Sequence, residues 1–136
     1  MTKSVNTILL IDDDETTNYL NHRLLSRMQV ADDIRVVTNG EEALHYLNKA
    51  FAGDAEYPRP ELVLVDIKMS VMDGFEFLEE YQKLDEADKS QIVMLMLTSS
   101  ASFYDLEKLK QFPDVRQHYS KPLTEGDVRD IMNEYF

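Results

Sequence analysis

Three aspartates in a row, Asp12-Asp13-Asp14, follow directly on the apolar run Ile8 to Ile11, and Glu15 extends the block. Like charges side by side repel, so the block is either a solvated turn or is held for something positive. Polar residues also close the other strand-like runs. Asp66 follows Leu62 to Val65. Thr98, Ser99 and Ser100 follow Ile92 to Leu97. Lys121, with Pro122 behind it, follows Val115 to Tyr119. Each has a plain local reading: Asp, Thr and Ser ahead of a helix are good N-caps, and a lone lysine is ordinary surface. Taken together they offer carboxylates, a hydroxyl and an ammonium. Carboxylates drawn to one point must be protonated or bridged by a cation. A hard divalent ion such as Mg2+ takes oxygen ligands and keeps some of its water. An aspartate beside such an ion can attack a phosphoryl donor and form an aspartyl phosphate. An ammonium and a hydroxyl can hold the remaining phosphoryl oxygens.

Whether these residues meet depends on the elements that carry them. The runs Ile8 to Ile11, Leu62 to Val65 and Ile92 to Leu97 are continuously apolar, as in parallel strands covered on both faces. Ile34, Val36 and Val37 form a weaker strand, and the polar stretch Val115 to Tyr119 suits a sheet edge. Helical periods lie between them. Leu20, Leu24 and Met28 mark one, and Ala43, Leu44, Leu47, Ala50 and Phe51 a second. Phe75, Leu78 and Tyr81, flanked by Phe77 and Leu84, mark a third. Phe103, Leu106 and Leu109 mark a fourth, stopped by Pro113. Val128, Ile131, Met132 and Tyr135 mark the last. Asn39-Gly40 reads as a turn, and residues 52–60 as a loop with Gly53, Pro58 and Pro60. Five strands alternating with five helices predict an α/β doubly wound (βα)5 flavodoxin-like sandwich. Its parallel five-stranded sheet takes the common strand order 2-1-3-4-5. Ligand sites in such sheets lie beyond the carboxyl ends of the central strands, where Asp12, Asp66 and Thr98 stand.

Bulk composition narrows the function. At 136 residues the chain fits one domain, and 43% hydrophobic residues suffice for a core. Fourteen Lys and Arg against 26 Asp and Glu give a net charge of −12. That charge argues against nucleic-acid backbones and anionic membranes as partners and is compatible with a bound divalent cation. The absence of cysteine excludes disulfides and thiolate metal sites. No apolar run is long enough for a signal peptide or a membrane span, so a cytoplasmic location is the expectation.

Four motifs in this order carry a specific resemblance: Ile-Leu-Leu-Ile-Asp12-Asp13-Asp14, Leu-Val-Leu-Val-Asp66-Ile-Lys-Met-Ser-Val-Met-Asp73-Gly74, Met-Leu-Thr98-Ser-Ser, and Ser120-Lys121-Pro122. The sequence resembles the receiver domain of two-component response regulators over nearly the whole chain, with 1–136 as a single, stand-alone, chemotaxis-regulator-like domain. The resemblance implies that Asp66 is the phospho-acceptor. It implies a Mg2+ site formed by Asp12, Asp13, Asp66 and the main-chain carbonyl of Lys68, with Asp13 the more direct ligand of the first pair. Thr98 would bond the phosphoryl group after swinging inward, and Lys121 would pair with a phosphoryl oxygen. Asp14 reads as a helix cap or a supporting residue. Lys68 and Ser100 occupy positions where the family tunes phosphoryl lifetime.

The implied function is a phospho-accepting signalling switch. Its donor would be a histidine kinase or histidine phosphotransfer protein, and its output a downstream protein. The resemblance implies that it would catalyse only its own phosphorylation and slow dephosphorylation. Phosphorylation would shift an existing equilibrium and rearrange the face made by helix 4, strand 5 and helix 5, which also serves homodimers in the family.

Two departures stand out. Ser70 follows Met69 where the family usually has proline, and loss of that stiffener would leave the loop more mobile. His118 holds the position, three before Lys121, where a switch aromatic is usual, and Tyr119 follows it. Strand neighbours face opposite sides. His118 therefore reads either as an exposed edge-strand side chain or as the rotating partner of Thr98, with pH sensitivity. Two rival functions remain. Asp12 to Thr16 also fits the Asp-x-Asp-x-Thr motif of haloacid-dehalogenase-type phosphatases, with Asp12 as nucleophile and Asp14 as acid/base. The other rival is a docking module indifferent to phosphorylation.

Overall fold

The computed structural model describes residues 4–99 and 102–136; Ser100, singled out above, lies outside them. Strand β1 spans Val5–Ile11 and is followed by helix α1 at Glu15–Arg27. Then come β2 (Ala31–Val37), α2 (Gly40–Phe51), β3 (Leu62–Asp66), α3 (Gly74–Tyr81) and a short α4 (Glu86–Lys89). The chain closes with β4 (Val93–Thr98), α5 (Phe103–Leu109), β5 (Val115–Ser120) and α6 (Glu125–Tyr135). All strand pairs are parallel, in the order β2-β1-β3-β4-β5. This is the flavodoxin-like order expected, with polar β5 at one edge.

The continuous apolar runs are buried on both faces because alternate residues feed two cores. Leu9, Ile11, Val63, Val65, Met94 and Met96 face one way, against α2, α3 and α5. Ile8, Leu10, Leu62, Leu64, Leu95 and Leu97 face the other, against α1 and α6. Burial of a large aliphatic side chain is worth about 1.5–3 kcal/mol, so a one-residue slip of a central strand would exchange its two layers at once.

Three details differ from the sequence reading. The chain forms six helices among the described residues, not five. The extra one, α4, has four residues, too few to show a period. Its Asp85 cap accepts from the Ala87 N–H at 2.8 Å. Lys89 anchors it: the buried ammonium pairs with Glu86 at 3.0 Å and Asp114 at 3.3 Å and donates to the Gln82 carbonyl at 3.0 Å. Second, the inner face of α1 is Thr17, Asn18, Asn21 and Leu25, not a stripe through Leu20, which is 41% exposed. The polar members are buried because they bond to the segments just past β1 and β5, at Asp12, Asp14 and Leu123. Third, Phe103 is 79% exposed at the first turn of α5 and does not join Leu109 in the core. It lines an open groove with Leu106 and His118.

Candidate functional site

Strand β1 ends at Ile11, so the next residue is the first free of the sheet. Asp12 nonetheless stays buried, since its N–H donates to the Val37 carbonyl at 3.1 Å and its carbonyl accepts from Asn18 Nδ2 at 2.8 Å. Asp66 is the last residue of β3 and lies beside Leu97 of β4. It too is buried. Lys121 sits just past β5, where its N–H donates to the Thr98 carbonyl at 2.9 Å. Its ammonium is 3.1 Å from Asp12 Oδ2 and 3.2 Å from Asp66 Oδ2. Asp13 is exposed at the mouth, and its Oδ2 accepts from the Ser70 N–H at 2.9 Å. One ligand oxygen from each of Asp12, Asp13 and Asp66 lies within 4.8 Å of the others. Residues far apart in sequence thus meet where the strand-end rule placed them.

The electrostatics follow from this crowding. Burial pushes the Asp66 carboxyl up, the Asp12 charge pushes it further, and Lys121 and the Lys68 amide pull it back only in part, leaving it at about 6. Burial opposes the Lys121 ammonium, but its hydrogen bond to Asp12 and the charge of Asp66 outweigh that and raise its pKa. With all groups ionised, three carboxylates and one ammonium leave an excess of two negative charges. That excess, presented by hard oxygen donors and no sulfur or imidazole, fits a divalent ion of the Mg2+ type.

The remaining sequence candidates fall into place unevenly. Thr98 is buried at the end of β4, and helix α5 is capped by Ser102, so Thr98 is not a cap. Lys68 is exposed; its amide supports Asp66. His118 is exposed beside Met96, two residues along the edge from the Ser120–Thr98 pair. Tyr119 faces the other core and is half-buried there. Asp14 stands at the N-cap position of α1. Its carboxylate accepts from the Thr17 hydroxyl, which holds its pKa down, and it is not one of the three carboxylates that gather. The acid/base required by the phosphatase reading is therefore engaged elsewhere.

Two residues escaped the sequence reading. Asn18 and Asn21 lie three apart on the buried face of α1. Asn18 holds the Asp12 carbonyl, and Asn21 Oδ1 accepts from the Leu123 N–H at 3.0 Å. One helix thus ties down the chain at both partners of the Asp12–Lys121 pair. The signal was present as two amides inside an otherwise helical pattern, but their inward direction was not legible. The loop from Asp66 to Gly74 is equally constrained. The Gly74 N–H donates to the Ile67 carbonyl at 2.8 Å, and a Cβ on Gly74 would lie 2.4 Å from the Asp66 carbonyl oxygen. Asp73 caps α3 through a reciprocal box with Glu76.

Comparison with known proteins agrees with this geometry. Residues 8–133 match the family model of the response regulator receiver domain. A two-component response regulator from Cytophaga hutchinsonii superposes with a TM-score of 0.87 at 27% identity, covering 98% of each chain. The probable methanogenesis regulatory protein FilR2 of Methanothrix harundinacea is 28% identical over 127 residues, 93% of this chain and 79% of that protein. Sporulation initiation phosphotransferase F of Bacillus subtilis is 29% identical over 97 residues, 71% of this chain and 68% of that one. No described helix is long and apolar enough to cross a membrane. An acidic cluster at the strand ends of a 2-1-3-4-5 sheet, matched by a family model across nearly the whole chain, places the protein in the response regulator receiver domain family.

Proposed function

We propose that this receiver domain is a phospho-accepting switch in which Asp66 takes a phosphoryl group from a histidine kinase or histidine phosphotransfer protein. The observation that carries this reading is the buried Asp66 carboxylate facing Lys121 at 3.2 Å within the three-aspartate cluster. A carboxylate held at about 6 is mostly ionised at neutral pH yet more basic than a free aspartate, which suits a nucleophile. One Asp66 oxygen forms a bond to phosphorus as the bond to the donor nitrogen breaks, and the leaving imidazole keeps that electron pair.

Asp12, Asp13, Asp66 and the Lys68 carbonyl would hold Mg2+. When bound, the ion would supply charge neutralisation to the transferring group. Lys121, already aimed at Asp66, pairs with a phosphoryl oxygen, and Thr98 at the end of the neighbouring strand donates its hydroxyl to another. An inward shift of Thr98 is the step that carries the change to the outer face of α5, β5 and α6, where a downstream protein or a second copy binds. His118 and Phe103 flank the groove on that face. In this reading His118 moves with Thr98 in place of the usual aromatic.

Beryllofluoride, which mimics a phosphoryl group on a carboxylate, tests the switch. With Mg2+ present, it is expected to shift the amide resonances of Thr98, Lys121 and the α5–β5–α6 face, and Asp66→Asn is expected to abolish the shifts. A chain that shows no such shifts is a docking module. Phosphorylation-dependent partner binding that is unchanged in His118→Ala would remove His118 from the switch.

A further inference from the structure

The loop between β3 and α3 carries a bond that the family's usual proline could not make. Ser70 stands in that position, and its main-chain N–H donates to Asp13 Oδ2 at 2.9 Å, across 57 positions of sequence. Proline has no N–H to give. Asp13 is the exposed member of the acidic cluster, while Asp12 and Asp66 are buried. Two like charges within a few ångströms drive an untethered surface carboxylate outward into water. Asp13 is nevertheless held within reach of both.

The next residues show how the amide is aimed. The Met72 N–H donates to the Ser70 carbonyl at 2.8 Å, closing a three-residue turn around Val71 at φ 67. A β-branched residue in the left-handed region is a steric outlier, and a γ-turn of this hand is a strained one. Val71 is 72% exposed, so no burial selects that conformation. The turn is imposed from its ends: the Gly40 N–H donates to the Met72 carbonyl at 3.0 Å and the Gly74 N–H to Ile67 at 2.8 Å. A Cβ on Gly40 would lie 2.8 Å from Met72 Cγ. Backbone strain held by its surroundings beside a site is characteristic of a positioned element.

We propose that the Ser70 main-chain amide is a positioning group that holds Asp13 in the ion-binding cluster before an ion arrives, with the strained turn at Val71 keeping that amide in place. One N–H occupies one lone pair of the carboxylate and leaves the rest available to a cation. The inference rests on the reading of Asp13 as an ion ligand. It gives this chain a tethered ligand where proline-bearing relatives have a stiff loop.

Two measurements on the full chain test it. The first is hydrogen exchange of the Ser70 amide without divalent ions. Asp13→Ala is expected to accelerate it on the order of 10-fold, as loss of a local bond does, with the Leu64 amide of β3 unchanged. The second is Mn2+ affinity by calorimetry. Ser70→Ala keeps the N–H and is expected to bind as the parent does. Ser70→Pro removes it and is expected to bind roughly 10-fold more weakly, the low end for loss of a bond that orients a metal ligand. Ser70 exchange indifferent to Asp13→Ala overturns the inference. So does a folded Ser70→Pro that binds Mn2+ as tightly as the parent. If Ser70→Pro does not fold, the exchange result decides. A parent chain that binds no Mn2+ overturns the ion-ligand reading and this inference together. A parent that binds Mn2+ with the expected Ser70 behaviour, but takes no phosphoryl group, overturns the switch and leaves the positioning role standing.

Discussion

Lys121 Nζ stands 3.2 Å from Asp66 Oδ2, with both side chains more than nine-tenths buried. The same ammonium is 3.1 Å from Asp12. One cation therefore serves two carboxylates, and the site's behaviour without metal follows from that shortage.

Removing the ammonium leaves two buried carboxylates facing each other. Lys121→Met is expected to destabilise the cation-free chain at pH 7 by about 3–5 kcal/mol, the usual range for breaking a buried ion pair on one side. Urea unfolding checks this, and added Mg2+ is expected to recover part of the loss. An unchanged urea midpoint would mean that solvent screens the pair.

The raised Asp66 carboxyl makes stability depend on pH in a definite direction. Its folded value is about 6, against 3.8 for an ordinary aspartate. Between those values the folded chain binds more protons than the unfolded one, so this group adds stability as pH falls from 7 towards 4. Asp66→Asn replaces the charge with a neutral isostere. It is expected to stabilise the cation-free chain at pH 7 by about 1–3 kcal/mol, on the scale of about 1.4 kcal/mol per pKa unit. The gain is expected to shrink at pH 5. Equal stability of parent and variant at pH 7 would show that Lys121 fully offsets burial and the Asp12 charge.

Asn21 accepts the Leu123 N–H in a fully buried setting. Asn21→Ala orphans that donor and is expected to cost about 1–3 kcal/mol. Because Leu123 is two residues past Lys121, the variant is also expected to bind Mn2+ more weakly than a core variant of equal stability, such as Val128→Ala. Equal affinity in the two would confine Asn21 to a structural role.

Gly74 lies against the backbone of Asp66, the proposed phospho-acceptor. Gly74→Ala would put a methyl group 2.4 Å from the Asp66 carbonyl oxygen. Overpacking of this kind is expected to cost about 1–3 kcal/mol and to slow phosphorylation, because Asp66 itself must move. Parent-like thermal stability in this variant would contradict the close approach.

Much of the fold and of the site is legible in the sequence alone. Continuous apolar runs at Ile8, Leu62 and Ile92 marked strands buried on both faces, and the strand-end rule then collected Asp12, Asp66, Thr98 and Lys121. Helix α4 was not readable, because its stability comes from Lys89 reaching Asp114 and not from a period of its own. The inner face of α1 was misphased for a related reason: a stripe of leucines outweighs two asparagines until their bonding partners are visible. The Ser70–Asp13 bond lies deepest. The sequence shows that proline is missing, and suggests only a looser loop. The donor that replaces its stiffness is a main-chain amide, which every residue but proline carries and no letter reports.

The most direct test of the account is intact-protein mass after incubation with acetyl phosphate, with and without Mg2+, for the parent, Asp66→Asn and Asp12→Asn. The expected result is one phosphoryl adduct in the parent, dependent on Mg2+ and absent from Asp66→Asn. An adduct that persists in Asp66→Asn and disappears in Asp12→Asn would contradict it, because the nucleophile would then lie at the end of β1 and not β3.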